Sequence, residues 1–189
     1  MSLTPSAMPD LGLSAPAFEL PNVDGQLVSL ANFYDSKALL VAFWCNHCPY
    51  VQHIREGFVA FARDYQGRGL AIVVISANDV STHPDDSPEL MKIEAEQHGF
   101  VFPYLFDETQ EVARAFQAAC TPDFFLYDQH QRLVYRGQFD ASRPGNSLPV
   151  TGSDLRSAVD AILDDRPVDA AQIPSIGCNI KWKPSNEPE

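Results

Sequence analysis

Ala38-Leu39-Leu40-Val41-Ala42-Phe43-Trp44-Cys45-Asn46-His47-Cys48-Pro49 decides how the rest of the chain is read. Its opening run, Ala38 to Cys45, is unbroken apolar with β-branched and aromatic members. At eight residues it is too short to cross a membrane and reads as a buried strand. From Pro49 onward the spacing changes. Val51, Ile54, Phe58, Phe61 and Tyr65 fall on one helical stripe, which Gly67 and Gly69 end. The cysteine pair therefore stands where a strand gives way to a helix. Unpaired N–H groups and the positive end of the helix dipole meet there and favour a thiolate over a thiol. A C-x-x-C cysteine so placed titrates at roughly 3.5 to 7.5 instead of near 8.5. A second thiol three residues on lies within reach, so a mixed disulfide with a substrate can be opened internally. His47, between the two, adds positive charge when protonated and favours the reduced pair.

Outward from this junction, strands and helices alternate. Leu70 to Ser76 is a second continuous apolar run, the pattern of a parallel strand covered on both faces. Asn78 to Ser87 is polar and reads as a surface loop, after which Ser87 caps a helix from Pro88 to His98. Phe102 to Phe106 reads as a strand, and Glu108 to Ala118 as a helix with Val112, Ala115 and Phe116 inward. Phe124 to Tyr127 and Arg132 to Tyr135 form a hairpin; Phe18 to Leu20 and Gln26 to Leu30, around Val23-Asp24-Gly25, form another. A last helix opens at Ser153, with Leu155, Val159, Ile162 and Leu163 on one side. The fold class expected is α/β with a central mixed sheet flanked by helices and an N-terminal β-hairpin extension.

Length and composition suit one domain: 189 residues, 45% hydrophobic and 20% charged. We place it at residues 1–166, with its core at about 14–164. Residues 167–189 form a proline-rich tail, of which 172–183 should dock, because Ile173, Ile176, Cys178, Ile180 and Trp182 are costly to leave in water. Thirteen Lys plus Arg against 25 Asp plus Glu give a net charge of -12, the wrong sign for nucleic acid or an anionic membrane. Met1 to Phe18 lacks Lys and Arg and is broken by three prolines, so no secretory signal is expected and the location expected is cytoplasmic. Four cysteines, at 45, 48, 120 and 178, are too few and too spread for a disulfide-stapled miniprotein.

Phe43-Trp44, Cys45-Asn46-His47-Cys48-Pro49, the Thr121-Pro122 step before an apolar strand, and Ala15-Pro16-Ala17-Phe18-Glu19-Leu20 together resemble the thioredoxin-like superfamily. The resemblance is to its alkyl hydroperoxide reductase and thiol-specific antioxidant (redoxin) group. It implies a thioredoxin-like fold and thiol-disulfide exchange without a cofactor, on a protein or small-molecule disulfide and with a thiol reductant. It also implies that Pro122 is cis and faces the cysteines, with the Thr121 backbone open to pair with an incoming chain. The site residues expected are Cys45 and Cys48, lined by His47, Trp44, Pro49, Thr121, Pro122 and Cys120.

Two departures from the thioredoxin pattern matter. The buried acid that precedes Phe-Trp in thioredoxins is here Ala42, and Cys45 follows Trp44 without the usual intervening residues. Two rules then give opposite orders of attack. Proline favours the first helical position, so Pro49 makes Cys48 the N-cap and the better activated thiol. The ordinary C-x-x-C order favours Cys45 as nucleophile and Cys48 as resolving thiol, and it is the order we adopt.

Cys120 stands beside Thr121 and reads either as a third redox thiol partnering Cys178 or as a small buried residue. A peroxidase is the nearest rival function. The peroxiredoxin pattern Pro-x-x-x-Thr/Ser-x-x-Cys, set on Cys48, finds Val41 and Cys45 where proline and the hydroxyl belong, with Arg136 or Arg143 as the candidate guanidinium. A thiolate metal site from Cys45, Cys48, Cys120 and His47 or His53 lacks the second paired motif that zinc sites show, and no metal is expected. Oligomeric state is not legible.

Overall fold

The computed structural model describes residues 3–188. Met1, Ser2 and Glu189, which the expected domain and tail boundaries include, lie outside the described residues. In chain order the strands are β1 (Leu3–Pro5), β2 (Glu19–Pro21), β3 (Leu27–Ser29), β4 (Ala38–Phe43), β5 (Leu70–Ser76), β6 (Tyr104–Phe106), β7 (Cys120–Thr121), β8 (Asp123–Asp128), β9 (Leu133–Tyr135) and β10 (Ile176–Asn179). The helices are α1 (Pro49–Tyr65), α2 (Pro88–Gln97), α3 (Glu111–Ala115) and α4 (Ser153–Leu163).

The central sheet has the order β6-β5-β4-β8-β9. Strand β4 runs parallel to β5, with Leu40 opposite Ile72, and antiparallel to β8, with Leu40 opposite Leu126. It is buried along its whole length because both faces are covered. Alternation sends Leu40, Ala42 and Trp44 to the side of Phe58, Phe61, Phe139, Leu155 and Val159, which α1 and α4 help to build. Leu39, Val41 and Phe43 face the other way, toward Phe18, Phe116, Phe125 and Ile180. Trp44 thus belongs to the core, its ring 5.0 Å from that of Phe58, and does not wall the site. The mixed sheet flanked by helices is the thioredoxin-like arrangement, and β2 and β3 form the antiparallel N-terminal hairpin.

Two local expectations are corrected, and the expected docking of the tail takes a definite form. The helix read over Glu108 to Ala118 is only Glu111–Ala115, because Gln110 adopts a left-handed conformation at its start and Gln117 another just after its end. Ala115 is consequently exposed. The polar stretch Asn78 to Ser87 is not simply a surface loop: Asn78, Asp79 and Asp86 are buried, and Pro84–Asp86 forms a 3-10 turn. Finally, β10 of the tail lies between β1 and β7 in an antiparallel three-stranded sheet. In that tail Cys178 and Ile180 are buried and Trp182 packs on the core, while Ile173 remains 58% exposed. No helix among the described residues is long and apolar enough to cross a membrane.

Candidate active site

Cys48 is the N-cap of α1, in extended backbone conformation, and Pro49 takes the first helical turn, where its missing N–H removes an orphan donor. Cys45 lies two residues past the end of β4 and, like Cys48, is fully buried. All four cysteines are buried and none is in a disulfide. Cys48 Sγ lies 2.6 Å from Cys178 Sγ and 3.2 Å from the Thr121 carbonyl oxygen. Cys45 Sγ lies 3.4 Å from Thr121 Oγ1. The Thr121–Pro122 bond is cis.

The electrostatics separate the two motif cysteines. A hydrogen bond from Cys45 lowers the Cys48 pKa most, and bonds from the Cys178 thiol and the Val51 N–H help to overcome burial and bring it to about 5. Cys45 goes the other way. Burial pushes it up strongly, and the negative charges of Cys48 and Asp86 add to the effect. Burial and the Cys48 thiolate push Cys178 up to about 12. Of the three thiols Cys48 is thus the one that ionises most readily, while Cys45 and Cys178 are held protonated. These shifts favour the N-cap reading of Cys48 over the order taken from the C-x-x-C rule.

Asp86 organises the loop that carries the motif, and sequence reasoning missed it. Its Oδ1 accepts the N–H groups of Asn46 at 2.8 Å and His47 at 3.2 Å. Its Oδ2 accepts from Asn78 Nδ2 at 2.8 Å and meets His47 Nδ1 at 2.6 Å. Burial raises the Asp86 pKa, but the bonds from His47 and Asn78 outweigh it and the net shift is down. The hydrogen bond to Asp86 raises the His47 pKa in turn. His47 is thus an ion-pair partner stacked on His83 with ring centroids 5.0 Å apart, not a freely solvated loop residue. Asn46 is fixed further by Tyr104 Oη, which donates to its Oδ1 at 3.0 Å, and by its own amide on the Asp85 carbonyl at 2.9 Å.

Thr121 departs from what was expected, and Cys120 follows the second of its two readings. The Thr121 backbone is not open to an incoming chain: it pairs with Cys178 of β10, because the tail buries its apolar residues against this edge. A Cβ at Gly177 would run into the Thr121 carbonyl, so only glycine permits so close an approach. Cys120 does not partner Cys178. It lies opposite Asn179, and its thiol is 3.6 Å from the Pro122 carbonyl, so it behaves as a small buried residue. His53 is bonded to Ser142 at 2.7 Å and takes no part in the cluster. Among the described residues the side chains with metal-ligand spacing are Cys45, His47 and Asp86. Cys120 and His53 of the thiolate-rich set do not join them.

A family model described as the AhpC/TSA family matches residues 11–136, across the hairpin, the cysteine motif and the Thr121-Pro122 step. The chain belongs to the AhpC/TSA family. Within AhpC/TSA, two provisionally named peroxiredoxins of Mycobacterium tuberculosis, from strains CDC 1551 and H37Rv, are each 31% identical over 107 residues. That segment is 57% of this chain and 63% of theirs, so the match spans less than two thirds of these relatives. The crystal structure of a hypothetical protein from Sinorhizobium meliloti 1021 is 54% identical, with a TM-score of 0.95 over 96% of this chain and 99% of that one. An uncharacterized conserved protein from Geobacillus kaustophilus is 52% identical, with a TM-score of 0.96 over 97% and 98%. A provisionally named thiol:disulfide interchange protein DsbE from Chlorobium tepidum, 22% identical with a TM-score of 0.62 over 82% and 98%, shares the fold.

Proposed function

We propose that this AhpC/TSA chain is a thiol-disulfide oxidoreductase that acts through the cysteine pair at the N-terminus of α1. One observation carries the reading: Cys48 is the N-cap of a helix with its sulfur 2.6 Å from the Cys178 thiol, and its pKa is lowered to about 5. The Cys48 thiolate attacks a substrate disulfide, forms a mixed disulfide and releases one substrate thiolate. A second buried thiol then opens the mixed disulfide, and the motif itself offers Cys45. The two electrons come from the protein's own thiols, so the chemistry requires no cofactor. An external thiol returns the protein to its reduced form, a cycle suited to the cytoplasmic setting we propose.

Thiol peroxidase activity is a second reading, supported by the Cys48-Pro49 step and by the provisional names of the mycobacterial relatives. Against it stand Val41 and Cys45 in place of the proline and hydroxyl, and the engagement of both candidate arginines elsewhere. Arg136 Nε donates to the Pro9 carbonyl at 2.6 Å, and Arg143 donates to the Asp140 carbonyl and Gln138 Oε1, each at 2.6 Å. Reduction of insulin or of a small disulfide, and consumption of hydrogen peroxide, measured in parallel for the native chain, Cys45→Ser and Cys48→Ser, separate the two. Loss of disulfide reduction in Cys48→Ser is expected. Full retention of both activities in both variants would remove the catalytic assignment.

A further inference from the structure

Cys178 is the thiol of the cluster that neither the C-x-x-C motif nor the helix N-terminus accounts for. It stands on β10, which is held on both flanks, by the antiparallel pairs Leu3 with Cys178 on one side and Cys178 with Thr121 on the other. Flanking bonds fix its height along the site: Ser175 Oγ donates to the Pro122 carbonyl at 2.6 Å, and the Ile180 N–H to the Ala119 carbonyl at 3.2 Å. The strand thus lies where the family resemblance puts an incoming substrate chain, and presents its cysteine to Cys48 at 2.6 Å. Cys45 is a poor second attacker by comparison. It is tied to Thr121 Oγ1 and sits close to the Asp86 carboxylate, whose charge opposes a thiolate there. Cys178 has the cation of Lys181 nearby instead.

We propose that Cys178 is the resolving thiol and that the oxidised chain carries a Cys48–Cys178 disulfide, with Cys45 left as a thiol. This rests on the reading of Cys48 as the attacking sulfur. Burial holds Cys178 protonated most, and the charge of Cys48 adds to it; once Cys48 is bonded to substrate sulfur that second contribution is gone. Cys178 loses its proton to solvent and attacks Cys48 Sγ, the bond from Cys48 to the substrate sulfur breaks, and the departing thiolate takes up a proton. One substrate disulfide becomes two thiols, and two protein thiols become one disulfide. An external dithiol reverses the last change and is itself oxidised to a disulfide.

The test is incubation of the reduced full chain with oxidised glutathione, an acid quench, alkylation and mass mapping of cross-linked peptides. A Cys48–Cys178 link is expected in the native chain, and in Cys178→Ala a glutathione adduct on Cys48 should accumulate about tenfold over native. A Cys45–Cys48 link in the native chain, with no extra adduct in Cys178→Ala, would overturn the proposal and leave Cys48 as the attacking sulfur. Absence of any link or adduct at Cys48 in both proteins would overturn the underlying reading as well. If Cys178→Ala does not fold, the link found in the native chain decides alone.

Discussion

Asp86 Oδ2 and His47 Nδ1 meet at 2.6 Å, and the other oxygen of the same carboxylate holds the backbone N–H groups of Asn46 and His47. One buried side chain from a 3-10 turn therefore sets the shape of the loop between the two cysteines.

Removing it tests that dependence. Asp86→Ala should cost about 2–4 kcal/mol in denaturant unfolding and slow disulfide exchange, because two loop N–H groups and the imidazole lose their acceptor. The pair also fixes a pH window. The Asp86 contribution is present above its unfolded pKa near 3.8 and is lost as pH falls through its lower folded value. The His47 contribution is complete below 6.5 and is lost as pH rises through its higher folded value. Stability from this pair should thus be greatest between about 4 and 6.5, and in Asp86→Ala an NMR titration of His47 should move back down. An unchanged His47 titration would refute the pairing.

Cys48 should titrate near pH 5, visible as a thiolate ultraviolet absorbance that Cys48→Ser eliminates. Its folded pKa is depressed, so the stability it contributes is complete above the unfolded value near 9.0 and is lost as pH falls through about 5. A thiolate signal that survives in Cys48→Ser and vanishes in Cys45→Ser would transfer the activation to Cys45.

Gly177→Ala places a methyl group against the Thr121 carbonyl and should push β10 off its edge. The expected result is faster alkylation of Cys48, which is fully buried in the native chain, together with a loss of about 1–3 kcal/mol in stability. Equal alkylation rates in the two proteins would show that β10 does not shield the sulfur.

Asp123 is fully buried beside the cis-proline; its Oδ2 accepts the Ala119 N–H at 3.1 Å, while its Oδ1 has no hydrogen-bond partner among the described residues. Burial raises its pKa to about 7. The folded chain thus keeps a proton that the unfolded chain releases above 3.8, and stability from this group falls as pH rises from there through about 7. Asp123→Asn should stabilise the protein by roughly 2 kcal/mol at pH 8 and by little at pH 4, measured by thermal unfolding. Equal shifts at both pH values would count against a buried, titrating carboxyl.

The strand, cysteine turn and helix were legible because they rest on local periodicity. The choice between Cys45 and Cys48 was half legible: Pro49 pointed to Cys48 as the N-cap, and the more general C-x-x-C order pointed away from it. Asp86 was hidden because it lies in a polar, proline-containing stretch and acquires its partners only through the fold. The apolar residues of the tail announced that it docks, but not that Cys178 would pair with Thr121, which depends on a strand register that no local pattern encodes. Leu3–Pro5 is too short to show a period at all and becomes a strand only because β10 supplies its partner.

The antiparallel ladder of β1 and β10 places Leu3 opposite Cys178, so the residues nearest the two chain ends share one end of the ladder. Tension applied through those ends would act as on a zipper, opening one cross-strand pair at a time instead of shearing the ladder at once. Once the segment after Asn179 had peeled away, the first described pair to part would be the one that carries Cys178. The cysteine cluster is therefore mechanically closer to Leu3 and Ile180 than its burial suggests, because tension between those two segments loads the Leu3–Cys178 pair before the rest of the ladder.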